Sequence, residues 1–250
     1  MHVSFERIGR FGNNLFQYLA AKIIEKIYKD EPIGNGSHHI NDWEWEELCL
    51  HYINNGTPKQ LDRSEIHLHG FFQMSHVFNH FRDYLQSIIN PENTDDIGQG
   101  IRVCDLCQNY SHTPGEKDIV IHFRLDDFRH DDNRVEILDP SVFTDILDTI
   151  EFNQLYIVCD TIRNDYEREY CAYFDKYNPI WQQKSLLEDF IFIKNATRVI
   201  TSNSTFSWLP TFLSKTAKEI YVPKQSFHSH QKMWGIGENS ICVEAKYYHS

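Results

Sequence analysis

Four short apolar runs in the carboxyl-terminal half constrain this chain more than any other feature. They are residues 119–121 (IVI), 155–159 (LYIVC), 198–201 (RVIT) and 218–222 (KEIYV). Between them lie segments with helical spacing, such as Val142, Phe143, Ile146, Leu147 and Ile150, and then residues 185–194. Buried strands alternating with crossover helices predict an α/β domain built on a doubly wound parallel sheet. Sheets of that kind hold ligands in the crevice beyond the carboxyl ends of their strands.

The residues that follow each run are therefore the ones to read for chemistry. The first run opens into HFRLDDF, with His122, Arg124, Asp126 and Asp127. The guanidinium fork of Arg124 suits an anionic oxygen cluster such as a pyrophosphate; alternatively, Arg124 pairs with Asp127 as a structural ion pair. The second run ends in Asp160, placed to accept hydrogen bonds from a nucleobase or to cap a helix over residues 161–174. The third enters SNSTFSW, residues 202–208, whose small hydroxyl side chains can cap the next helix and offer donors to a phosphate. The fourth is closed by Pro223. The charged stretch RHDDNR, residues 129–134, reads as a solvated loop rather than a metal site. Asp139 and Pro140 suit the start of a helix, as N-cap and first-turn residue.

The amino-terminal half begins with a weak strand over residues 2–5 and the loop GRFGNN, residues 9–14. Leu15, Phe16, Leu19, Ala20, Ile23, Ile24 and Ile27 then predict a helix with one apolar face, capped by Asn13 or Asn14. Strand, glycine loop and helix can present backbone amides to an anion. The loop has neither the Walker lysine nor the dinucleotide-binding glycine spacing, and Gly9 and Gly12 can equally be turn residues. Residues 31–60 read as loop plus a short helix, after a Gly-Asn-Gly turn at 34–36. IHLHGFFQ, residues 66–73, reads as a strand with Ile66 and Leu68 on one face and His67 and His69 on the other. A helical stripe of Val77, Phe78, Phe81, Leu85 and Ile88 follows. His67, His69 and His76 form no metal-ligand spacing with nearby carboxylates. Polar stretches at 91–100 and 109–116 suit a connection, which places a domain boundary near Gly115 and divides the chain into residues 1–115 and 116–250.

Charge excludes one class of partner. A net charge of −12 over 250 residues disfavours nucleic acid, which needs a broad basic surface. A small anionic ligand needs only one local cationic pocket. No apolar run is long enough to span a bilayer and no leader pattern opens the chain, so a cytoplasmic protein with no membrane-spanning segment is expected. The six cysteines are then expected as free thiols, with neither a zinc site nor a redox pair at Cys104 and Cys107.

Several stretches together resemble a known family. GRFGNNLFQ (residues 9–17), HGFFQ (69–73), HFRLDDF (122–128) and SNSTFSWL (202–209) are similar, in order along the chain, to the motifs of the alpha-1,2-fucosyltransferases of glycosyltransferase family 11. More loosely, they resemble those of the protein O-fucosyltransferases. The resemblance implies a GT-B-like fold, with two Rossmann-like doubly wound domains facing a cleft: an acceptor-side domain over 1–115 and a nucleotide-sugar domain over 116–250. It implies GDP-fucose as donor, a glycan acceptor hydroxyl, inversion at the sugar carbon, and no bound metal or cofactor. Carried onto this chain, it gives Arg124 the pyrophosphate, puts Asn203, Ser204, Thr205 and Phe206 in the donor pocket, and turns Asp160 toward guanine. Arg10 and Asn13 would reach the reacting centre from a loop shaped by Gly9 and Gly12. Asp127 or His122 would serve as general base. Two departures stand out: Leu125 and Asp126 replace an arginine and a glycine that the family often has, and Asn14 replaces a glutamine. They leave open another nucleotide-sugar donor, or a binding module without catalysis.

Overall fold

Backbone contacts divide the chain between Asp105 and Leu106, with one compact unit within Met1–Asp105 and the other within Leu106–Gln225 and Trp234–Ser250. The boundary expected near Gly115 lies further along, inside the second unit. The structure, a computed structural model, describes residues 2–31, 36–61, 64–110, 112–125, 137–224, 235–237 and 240–248.

The first unit opens with β1 (His2–Phe5), α1 (Phe11–Ile27), β2 (Ser37–Ile40), α2 (Asp42–Asn55) and β3 (Glu65–Leu68). β3 lies in the middle of the sheet and pairs in parallel with β1 and β2. Leu15, Phe16, Leu19, Ile23 and Ile24 are fully buried along one stripe of α1, as their spacing requires. The helix starts earlier than expected: Arg10 occupies the N-cap position, so Asn13 and Asn14 fall inside the first turn and do not cap. Residues 31–60 also differ from expectation, holding a strand and a full helix. The sequence of β2, SHHI, lacks apolar alternation, and only its register with β3 makes it a strand. α2 is capped by Asn41, whose side chain accepts from the amides of Trp43 and Glu44, and it ends at Gly56 with φ 70°. The strand expected over 66–73 stops at Leu68, and Phe72 takes a left-handed φ of 54°.

Helices α3 (Ser75–His80) and α4 (Arg82–Ile88) follow, then an antiparallel pair, β4 (Asp96–Gly98) and β5 (Ile101–Arg102). That hairpin takes in residues 96–100 of the first of the two stretches whose composition suggested a connection.

The second unit contains β6 (Ile119–His122), α5 (Ser141–Leu147), β7 (Leu155–Val158), α6 (Asp165–Ala172), β8 (Ile180–Gln182), α7 (Leu186–Lys194), β9 (Arg198–Ile200), α8 (Thr205–Leu213), β10 (Glu219–Lys224) and β11 (Ser240–Glu244). Its sheet has the order β11-β10-β9-β6-β7-β8, with every pair parallel. Counted from β6, this is the 3-2-1-4-5-6 order of a doubly wound, Rossmann-like sheet. β6 and β7 are buried at every position because they are interior strands of a parallel sheet. The edge strands β8 and β11 are short and partly exposed, with no fully buried position, so they lack the continuous apolar run that marks the interior strands.

Local chemistry shifts three other boundaries. α6 begins at Asp165 under an Asn164 cap, so Asp160 does not cap it. Asp139 accepts from the Ser141 amide while Pro140 takes the N-cap position of α5. β10 runs through Pro223, which is tolerated because beyond Tyr221 the strand pairs only with β11.

Candidate functional site

The order of the second sheet reverses between β6 and β9. One half of the sheet grows outward from β6 through β7 to β8, and the other from β9 through β10 to β11. Strand connections diverge at such a switch point and leave a crevice beyond the carboxyl ends. The HFR and SNSTF segments leave β6 and β9 at this place. His122 Nδ1 and Ser202 Oγ are 3.3 Å apart and share a hydrogen bond, and the His122 ring centroid lies 5.2 Å from that of Phe206.

Alternation along the chain explains how these side chains are aimed. Ile119, Ile121, Phe123 and Leu125 belong to one core cluster, where Phe123 stacks on Phe174 at 5.4 Å. Val120 belongs to the cluster on the other face, against which Phe206 packs. His122 therefore faces Phe206, and Arg124, half-buried between two core residues, is turned away from the Phe174 side. Leu125 is buried in the core, so its side chain is spent on packing and not turned toward the crevice.

The amino end of α8 is held by its own side chains. Ser204 accepts from the Phe206 amide at 3.2 Å, and Ser207 Oγ donates to the Ser204 carbonyl at 3.0 Å. Ser202 donates its amide to Ser207 Oγ at 3.1 Å. Asn203 and Ser204 are buried, while Thr205 and Phe206 are half-exposed. This rigid turn presents the positive end of α8 beside β6. Burial, reinforced by the positive charge of Arg124, pushes the His122 imidazole down to about 3. The ring is thus neutral at ordinary pH and weakly basic, which suits a hydrogen-bonding partner better than the general base expected of it. Asp127 lies outside the described residues, and with it the proposed Arg124–Asp127 pair.

Asp160 is exposed beyond β7, and its carbonyl accepts from Gln183 Nε2 at 3.2 Å. The structure adds a residue that the sequence did not single out. Asp189, in the first turn of α7, is buried and accepts from the Lys184 amide; burial raises its carboxyl to about 6, with the charges of Glu188 and Asp160 adding to the shift. On sequence it is one more acid in a helix start, and only the fold brings it close enough to Asp160 for the two charges to interact.

In the first unit, two motif segments meet. Gln17, fully buried, accepts from the Ile8 amide at 3.1 Å and donates to the carbonyls of Ile8 at 3.4 Å and Gly70 at 2.9 Å. Gln73 donates to Asn13 Oδ1 at 3.0 Å. Gly9 adopts φ 82°, a left-handed turn just before α1. A side chain at Gly70 would meet the Asp42 carboxylate at 2.6 Å, and that carboxylate accepts from the amides of Phe71 and Phe72. Arg10 is exposed and Asn13 half-exposed at the amino end of α1, with Gly12 buried between them. Just beyond the last β1–β3 pair, the Glu6 carboxylate is bonded to His69 Nδ1.

Among the described residues, no group of three or more His, Cys, Asp or Glu side chains is arranged to hold a metal ion, and no helix is long and apolar enough to cross a membrane. No protein-family model matches the chain, and a search of curated proteins finds no significant match.

Proposed function

We propose that the chain is an inverting glycosyltransferase of the GT-B class that moves L-fucose from GDP-fucose to a hydroxyl of a glycan acceptor, alpha-1,2 to galactose or a similar sugar, without a metal ion. One observation carries the reading: the HFR and SNSTF segments, read separately as a cation for a diphosphate and as a helix-end anion site, meet at the switch point of one parallel sheet. Both belong to the ordered set of motifs that resembles the fucosyltransferases. Arg124 would grip the diphosphate through paired N–H donors, and the amino end of α8 would add its partial positive charge. As the bond from sugar to phosphate lengthens, negative charge builds on the departing GDP, and fixed donors stabilise it without reorganisation. Neutral His122, bonded to Ser202, would donate or accept one hydrogen bond beside the phosphates. Asp160 and Asp189 supply acceptors for the N–H groups of a guanine.

The buried Leu125 supports a second reading. With a core residue at a position often cationic, the pocket would carry less positive charge, which suits a different nucleotide-sugar donor or binding without turnover. Thermal shift against GDP-, UDP- and ADP-sugars separates these readings, since a ligand at about 100 times its Kd adds roughly 2.7 kcal/mol. Incubation with GDP-fucose and a panel of galactose-terminated acceptors then reads transfer directly. Absence of both GDP binding and GDP release overturns the proposal. Tight binding with no transfer to any acceptor points to the module without catalysis.

A further inference from the structure

The His122 ring is 6% exposed and neutral at ordinary pH, so which of its nitrogens carries the proton decides what it can bind. A chain of hydroxyl groups within the second unit makes that choice. His122 Nδ1 lies 3.3 Å from Ser202 Oγ, and Ser202 Oγ lies 3.3 Å from Ser207 Oγ. Ser207 Oγ donates to the Ser204 carbonyl at 3.0 Å, and a carbonyl only accepts. With its one proton placed there, Ser207 can join the link to Ser202 only as acceptor. It also accepts from the Ser202 amide, at 3.1 Å. Ser202 therefore donates its own proton to Ser207 and offers a lone pair to His122. The remaining link closes when Nδ1–H donates to Ser202 Oγ, and all three bonds then run in one direction. The other tautomer breaks one of them. If Ser202 donates to a bare Nδ1, either the two serine oxygens face each other with no proton between them, or the Ser204 carbonyl loses the Ser207 hydroxyl. Ser202, Ser204 and Ser207 are all buried, where water does not replace a lost bond.

The bare nitrogen is then Nε2. Among the described residues, Ser202 is the ring's only hydrogen-bond partner, so a buried acceptor remains at the switch point of the sheet. An ionised phosphate oxygen has only lone pairs to set against it, whereas a hydroxyl group has a proton to donate. We propose that Ser202 and Ser207 are positioning residues that fix His122 with its proton on Nδ1, so that Nε2 accepts from a hydroxyl of the ribose or the fucose of the bound donor. The choice of ligand rests on the fucosyl-transfer reading; the tautomer rests on the hydroxyl chain alone.

The free wild-type chain, isotopically labelled at its imidazole nitrogens, is read first, by NMR correlation of the ring nitrogens with the carbon-bound ring protons. His122 is identified by its contact with the Phe206 ring, 5.2 Å between centroids, and by the signals missing from His122→Gln. A protonated Nδ1 and a bare Nε2 are expected, in excess over the other tautomer on the order of tenfold. An Nε2–H majority overturns the proposal. Ser207→Ala releases the Ser202 proton to Nδ1 and is expected to invert the tautomer without touching the ring. Ser202→Ala removes the acceptor itself and is expected to lose the Nδ1–H excess. An unchanged ratio in either variant overturns the hydroxyl chain as its cause. GDP, dideoxy-GDP lacking both ribose hydroxyls, and GDP-fucose are then added separately, with binding followed by thermal shift. An Nε2 resonance that moves with GDP but not with dideoxy-GDP assigns the ribose, and one that moves with GDP-fucose alone assigns the fucose. Movement with all three traces the bond to guanine and overturns the hydroxyl assignment, as does binding that leaves Nε2 unmoved. No thermal shift with any of the three overturns the donor reading and this contact together, while the spectrum of the free chain still decides the tautomer.

Discussion

Replacing Gln17 by leucine tests how the glycine loop of the first unit is held. The side chain is fully buried and makes three hydrogen bonds, to the Ile8 amide, the Ile8 carbonyl and the Gly70 carbonyl. Leucine fills nearly the same volume, so the cavity contribution is small and the cost is polar. The Gly70 carbonyl, in a buried residue, loses its partner, worth roughly 1–3 kcal/mol. The two Ile8 groups are half-buried and regain some water, so each costs about 0.5–1 kcal/mol. Together these give roughly 2–5 kcal/mol. For a unit of about 100 residues each kcal/mol lowers Tm by about 4–8 °C, so a fall of at least about 8 °C is expected for the transition of the first unit. Gln17→Glu provides the internal comparison, because it keeps the acceptor for the Ile8 amide but loses both donated bonds and buries a charge; it is expected to be no more stable than leucine. Differential scanning calorimetry and urea unfolding read both variants. A Gln17→Leu chain within about 1 kcal/mol of wild type would refute the claim that these bonds hold the loop to the segment after β3.

Three further outcomes are expected. Arg124→Ala is expected to lower transfer on the order of 100-fold in a GDP-release assay, the effect of removing a donor that meets developing charge, and a near-normal rate would remove its assigned role. Ser204→Ala is expected to cost about 1 kcal/mol in chemical unfolding, because the Phe206 amide loses its cap acceptor. His122 is neutral when folded and titrates near its ordinary value when unfolded, so the unfolded chain binds the extra proton between about pH 6.5 and about 3. Stability from this group is therefore full above pH 6.5 and is lost as pH falls, by on the order of 3–5 kcal/mol at most; His122→Gln is expected to flatten that part of the stability profile, measured by urea midpoints across pH.

What the amino-acid pattern determined was the interior of the second unit. β6 and β7 are short apolar runs because they are covered on both faces, and α7 opens on a capping box of Ser185 and Glu188 that is visible in the sequence. α8 likewise starts where Ser204 stands ready to cap it. Strands at edges or with polar faces carry no such signal: SHHI in β2, IWQ in β8 and SICVE in β11 become strands only through the neighbours they pair with. The site divides the same way. Residue type made Arg124 and Ser202–Phe206 candidates, but the order of strands decided that they share one switch point, that Leu125 packs in the core and that His122 is too buried to hold a proton readily. Glu6 and His69 are far apart in the chain and belong together only because β1 and β3 lie side by side. Local sequence sets which backbone and side-chain groups are available, whereas burial and pairing between distant segments are properties of the packed sheet.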